Sequence, residues 1–285
     1  MFKLIAENRY GTKETLTGNP LFYVTGILGL TPAAAVINTD ALATGDGSLF
    51  NSSKVGNRNI VITLTYKSAV TVEAARHELY KIFKTKQWVR LYYKNETRDV
   101  YIDGYVETFE GDLFQRGQQA QISIICPDPF FKAVAATVTD FVGVDSLLEF
   151  PVEFPEEGIP FSEVAVYDEK SVINGGDVEC GVIIRCNFSG TVEHPAFYNL
   201  TTGEGFLMDY EFIRGDSLVI NTNRGSKSVF LTRAGETINM LKYLVQGSTW
   251  FQLTLGDNVF TFTADDDGRE SMEVLFTNTD KFEGV

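Results

Sequence analysis

The sequence predicts a mainly β chain of two domains: an N-terminal β-sheet domain with one α-helix over residues 1–132, and a C-terminal β-sandwich over residues 133–285. Three observations carry that prediction. Phe, Tyr, Val and Thr are frequent while Leu and Ala runs are scarce, a composition that favours sheets over helix bundles. Apolar residues recur at period 2 in short segments closed by Gly, Asn and Asp turns. Charge changes abruptly near residue 132: residues 1–132 hold 15 Lys and Arg against 13 Asp and Glu, a net of +2, whereas residues 133–285 hold 9 against 25, a net of −16. Each half is long enough to bury its own core.

The N-terminal elements follow in order. The opening residues alternate up to a turn at Tyr10-Gly11, and an apolar strand runs from Leu21 to Ile27 between Asn19-Pro20 and Gly29. From Leu30 to Asn59 the chain is mostly small and polar, with Pro32 and three glycines, and reads as a long unstructured loop that serves a purpose or reaches a partner. Asp46-Gly47 within it is a turn signal, because Gly tolerates φ > 0 and Asp can close a turn with its own side chain. Arg58 leads into a strand in which Ile60, Ile62 and Leu64 alternate with Val61, Thr63 and Thr65. The one helix spans about Val72 to Lys84. Thr71 stands at its N-cap and Glu73 in its first turn, and Val72, Ala75, Leu79, Ile82 and Phe83 share one face. Strands resume at Trp88–Tyr93, Arg98–Thr108 and Gln118–Ile125, with turns at Lys94-Asn95-Glu96 and Glu110-Gly111-Asp112. Cys126-Pro127-Asp128-Pro129-Phe130-Phe131 closes the domain, since two prolines remove two backbone donors and fix two φ angles.

A linker of about residues 133–150 follows, and three prolines between Phe150 and Phe161 restrict that stretch to extended or edge structure. Short strands then recur at Glu163–Tyr167, Glu179–Phe188, Ala196–Asn199, Phe206–Ile213, Ser217–Asn221, Ser228–Leu231, Thr249–Leu255, Val259–Ala264 and Met272–Thr277. This spacing is that of a β-sandwich. Its clearest hairpin pairs Trp250–Leu255 with Val259–Thr263 across Gly256-Asp257-Asn258.

Composition excludes several function classes. No apolar run approaches the roughly 18 residues of a membrane span, and the opening MFKLIAENRYG lacks the apolar core of a secretory signal. The acidic half repels phosphates, which argues against sequence-specific nucleic-acid binding. An odd cysteine count, Cys126, Cys180 and Cys186, argues against a disulfide framework and for buried free thiols.

Catalysis needs a nucleophile, an acid or base, or a metal held within reach of one another. The two histidines are far apart in sequence: His77 falls on the polar side of the helix and His194 precedes Pro195 at a strand entry. Asp265-Asp266-Asp267-Gly268 is the best candidate cation loop, but it lacks alternating carboxylates and a distal Glu, and reads as a solvated turn. The sequence therefore predicts no catalytic, cofactor-binding or metal residues and no enzyme activity.

Four features together resemble the siphophage distal tail protein family. They are the Asp46-Gly47 loop running to Arg58-Asn59-Ile60, the single helix Val72–Lys84, the Cys126–Phe131 closure, and the Ser248–Val259 segment with the ending Phe282-Glu283-Gly284-Val285. The resemblance implies an N-terminal tail-tube-like domain forming a hexameric ring, and a galectin-like C-terminal sandwich facing outward. It implies a structural role at the virion tail tip, assembled in the host cytoplasm, joining the tail tube to the baseplate hub. The implied partners are further copies of the chain, the tail tube protein, the tail hub or tail-associated lysin protein, and a receptor-binding protein. Sugar binding does not follow, because His-x-Asn-x-Arg is absent and Trp250 is followed by Phe251-Gln252-Leu253-Thr254 rather than by the galectin pattern. Another minor tail or tube protein, or a carbohydrate-binding β-sandwich module, are the alternative readings.

Overall fold

The computed structural model describes residues 2–67, 71–111, 118–146, 162–166, 169–266 and 268–285. The proline-rich stretch expected to be extended, 151–161, lies outside these residues, as do Asp112, Tyr167 and Asp267. The chain divides into two compact units, Met1–Ala135 with Lys281–Val285, and Ala136–Asp280. The last five residues thus belong with the N-terminal unit and not with the segment 133–285 in which a linear reading puts them. The reason is a strand pair within that unit, Phe131 opposite Phe282 and Lys132 opposite Lys281.

In the N-terminal unit the strands are β1 (Lys3–Asn8), β2 (Lys13–Thr15), β3 (Phe22–Leu28), β4 (Ala35–Ala41), β5 (Ser48–Val55), β6 (Arg58–Tyr66), β7 (Trp88–Lys94), β8 (Asp99–Gly111), β9 (Gln119–Cys126) and β10 (Phe131–Ala133). Their antiparallel order is β2-β1-β7-β8-β9-β6-β3, with β10 against β8. Alternation sets the core. Ile60, Ile62 and Leu64 of β6 meet Ile124, Ile122 and Ala120 of β9 in register, and all six are buried. Close approach of β8 to β9 explains Gly104, where a Cβ would lie 2.6 Å from Ile124 Cγ2 and 2.9 Å from Cys126 Sγ.

Helix α1 spans Val72–Ile82 and buries Ala75, Leu79 and Ile82 against this sheet domain. Thr71 occupies the N-cap position without a side-chain capping bond, so the helix rests on its apolar face and its backbone. It stops at Phe83, whose N–H bonds the Leu79 carbonyl.

The second unit is a sandwich of two antiparallel sheets. One runs Thr137–Asp140, Met272–Asn278, Val182–Phe188, Ser217–Asn221, Ser228–Arg233, Glu236–Asn239; the other runs Lys170–Asn174, Gly256–Thr263, Ala196–Asn199, Glu204–Leu207. Inward positions of both sheets carry Phe, which accounts for the abundance of that residue. Phe141 meets Phe262 and Phe276 at 5.5 and 5.1 Å between ring centroids, and Phe260 meets Phe276 at 4.8 Å. Such offset and edge-on contacts add to the area the rings bury.

Two expectations are corrected in this unit. Trp250–Leu255 is not a strand paired with Val259–Thr263. Its alternation arises because Phe251 and Leu253 plug the core, while Leu253 makes a single bridge to Cys180. Asn258 holds the bend by accepting from Thr254 N–H at 3.0 Å and donating to its carbonyl at 2.8 Å. The expected strand Phe206–Ile213 is two short ones, Glu204–Leu207 and Glu211–Phe212.

Candidate assembly site

The stretch expected to be an unstructured loop, Leu30–Asn59, holds a β-hairpin. β4 and β5 pair antiparallel from Ala35 opposite Val55 to Ala41 opposite Ser48, with an irregularity between Asn38 and Thr39. Every residue of both strands is exposed. A ribbon with two wet faces has no reason to alternate apolar with polar residues, so the period-2 signal that marks other strands is absent here. Topologically this arm is the outer part of the β3–β6 hairpin, leaving the sheet after Leu28 and rejoining it at Arg58. It exposes Val36, Ile37, Leu42, Leu49 and Phe50, at 42–65% of their full surface. These apolar side chains stand exposed on both faces of the ribbon, a surface suited to interaction.

The root of the arm is tied down by one side chain. Arg58 is buried, and its guanidinium donates to the carbonyls of Gly29 (2.5 Å), Thr31 (2.6 Å), Pro129 (2.5 Å) and Glu283. Its Cζ lies 4.7 Å from the centre of the Phe131 ring. Five N–H donors in a rigid fork suit Arg to gather carbonyls from separate segments. Burial lowers the Arg58 pKa, against an opposing pull from Cys126 and Glu283. Burial also pushes the Cys126 thiol up to about 12, which keeps it a neutral thiol. The parity of β6 could have revealed this residue: Arg58 falls on the same face as Ile60, Ile62 and Leu64.

The root is further shaped by Gly29 at φ +87°, where a Cβ would sit 2.2 Å from the Asn59 carbonyl oxygen. Val285 N–H bonds the Leu30 carbonyl at 3.1 Å. Asp128 ties the closure to the last residues, with its carboxylate 3.1 Å from Lys281 Nζ and 3.2 Å from Lys132 Nζ. Three stretches that stood apart in the sequence, Arg58, the Cys126–Phe131 closure and the Phe282–Val285 ending, therefore meet at the arm root.

Residues considered for chemistry are not brought together. His77 lies exposed on the helix beside Tyr80. His194 sits in the second unit at φ +47°. Its Nδ1 is 2.7 Å from Asp265, and its Nε2 is 3.2 Å from Asp209. The Asp265 hydrogen bond raises the His194 pKa. All three side chains are half-exposed or more, so water screens the pairing. Among the described residues no group of three His, Cys, Asp or Glu side chains is placed to hold a metal. The three cysteines are buried and form no disulfide.

Two protein families match the chain, and both consist of phage tail structural proteins. The phage tail protein RIFT-related domain covers residues 23–126, and the siphovirus-type tail component, C-terminal domain, covers residues 175–279. The crystal structure of SPP1 Dit (gp 19.1), described as a hub adsorption apparatus of phages infecting Gram-positive hosts, superposes with a TM-score of 0.70 at 14% identity, covering 99% of each chain. A chain of the phage P2 baseplate in its activated conformation with Ca superposes at 0.55 and 10% identity over the whole of both chains. No curated protein matches the sequence. The two matched domains, in this order along one chain, are those of siphovirus-type tail components, and the fold is that of the SPP1 Dit structure.

Proposed function

We propose that the protein builds a hexameric ring at the virion tail tip, in which the N-terminal unit forms the ring and the acidic unit faces outward. The exposed, root-anchored arm carries this reading. A ribbon whose strand residues are all exposed is worth ordering if a neighbour receives it. One donor surface and one separate acceptor surface give head-to-tail contacts, which close into a ring when the rotation permits. Charge supports the placement, since six near-neutral domains can crowd around an axis while six domains of net −16 would repel one another.

In this role the protein is a connector and not an enzyme. Its partners are copies of itself, the tail tube protein above and the hub or tail-associated lysin protein below, with a receptor-binding protein as a candidate for the outward unit. It is assembled in the host cytoplasm. The domain division follows the role: ring-forming residues 1–132 with the terminal strand, and a sandwich that carries the periphery. Native mass measurement tests this. The wild-type chain assembles, and a variant with residues 36–54 replaced by Asn-Gly stays folded by circular dichroism but shifts to monomers. The replacement is geometrically mild, because Ala35 and Val55 are directly opposed and a two-residue turn joins such a pair.

A further inference from the structure

At one end of the second unit, three short segments meet around His194. Val192–Glu193 and Glu211–Phe212 form a two-residue antiparallel pair, and the chain leaving Gly256–Thr263 passes beside it through Asp265. Backbone bonds link all three. His194 N–H reaches the Tyr210 carbonyl at 3.3 Å, Asp265 N–H the Glu193 carbonyl at 3.1 Å, and Met208 N–H the Pro195 carbonyl at 3.1 Å. So short a ladder contributes little holding force of its own.

The His194 side chain spans the same three segments, with Nδ1 2.7 Å from Asp265 Oδ2 and Nε2 3.2 Å from Asp209 Oδ1. A neutral imidazole carries one N–H and one lone pair, so it donates to one carboxylate while the other faces the lone pair. Only the imidazolium donates to both. Acids crowd the surroundings. Glu193 stands directly opposite Glu211 across the pair, a like-charge arrangement that disfavours pairing. Asp266 follows Asp265, and Glu270 stands on the turn Gly268–Ser271 that packs on Val192. The nearby cations are engaged elsewhere. Arg233 lies over the Tyr210 ring and bonds Asp216 and the Glu211 carbonyl, and Arg269 lies over the Phe262 ring.

We infer that His194 is a proton-dependent clasp: as imidazolium it ties Asp209 to Asp265 and closes this end of the sandwich, and on losing its proton to solvent it lets the three segments separate. The inference does not depend on the ring reading.

The direction follows from the charges. The hydrogen bond to Asp265, joined by the Asp265 and Asp209 charges, outweighs desolvation and raises the His194 pKa above its ordinary 6.5. The clasp is therefore fully closed below the unfolded pKa and opens as pH rises through the higher folded value. Exposure of all three side chains makes the opening local and leaves the core of the sandwich intact.

Hydrogen exchange of the full-length wild type and His194→Asn, compared at equal pH, tests this. Asn accepts the left-handed backbone at this position and keeps a donor without the charge. At about pH 5.5, amides of residues 192–193, 209–212 and 265–266 exchange about threefold or more slowly in the wild type than in the variant, and at about pH 9 the two exchange alike. Equal rates at the lower pH, or the same protection at both, overturn the clasp. Should the variant misfold, imidazole NMR titration decides. The chain has two histidines, so His77→Gln assigns the His194 signal. Its midpoint falls when Asp209→Asn and Asp265→Asn are combined, and an unchanged midpoint overturns the inference.

Discussion

Replacing Arg58 by Met keeps the length and apolar stem of the side chain and removes the guanidinium. Four carbonyls, those of Gly29, Thr31, Pro129 and Glu283, then lose their donor at the arm root. Bonds from a charged donor contribute about 1.5–3 kcal/mol each, which sets a gross loss of about 6–12 kcal/mol. Desolvation of the buried cation works the other way by several kcal/mol, and relaxation lets water reach some of the freed carbonyls. The expected net destabilisation is about 3–5 kcal/mol, confined to the N-terminal unit. Arg58→Lys keeps the charge but not the fork, and costs about 2 kcal/mol or more. The chain has two tryptophans, Trp88 in the first unit and Trp250 in the second, so each unit has its own reporter. Urea unfolding is followed by fluorescence in Trp250→Phe and Trp88→Phe backgrounds. Only the transition seen through Trp88 moves. A shift below about 1 kcal/mol, or equal shifts through both reporters, refutes the role given to Arg58.

Other expectations follow from the same geometry. Burial raises the Asp128 carboxyl but Lys281 and Lys132 outweigh it, so its folded pKa lies below the unfolded value of about 3.9; its hold on the last residues is complete above that pH and is lost as pH falls through the folded value. Hydrogen exchange at residues 281–285 detects this release, and Lys281→Met weakens the dependence. In the second unit Asp216 is buried and accepts from Arg233 at 2.9 and 2.5 Å and from Ile213 N–H at 3.0 Å; Asp216→Asn costs about 2–3 kcal/mol in the Trp250-reported transition. Gly104→Val overpacks the contact with Ile124 and Cys126 and costs about 1–3 kcal/mol or more, read through Trp88.

The sequence was legible where one face of an element is wet and the other dry. Ile60, Ile62 and Leu64 announced β6, and Ala75, Leu79 and Ile82 announced the helix, because burial on one side imposes a period. Three features escaped for stated physical causes. The arm is wet on both faces and so shows no period. Trp250–Leu255 shows a strand period because it plugs a core, without ladder pairing. The Arg58 cluster joins residues up to 225 positions apart, and carbonyl acceptors leave no trace in side-chain identity. Parity alone hinted at it, since Arg58 stands two residues before Ile60 on the inward face.

The central claim is a ring built by the N-terminal unit through its arm. Cryo-electron microscopy of the purified full-length chain, with mass photometry on the same sample, tests it directly. The account predicts six-fold rings at six times the chain mass, with residues 1–135 and 281–285 lining the channel, each arm lying on the next subunit, and the acidic sandwich at the periphery. A ring lined by residues 136–280, or arms that point into solvent in a closed ring, would contradict it.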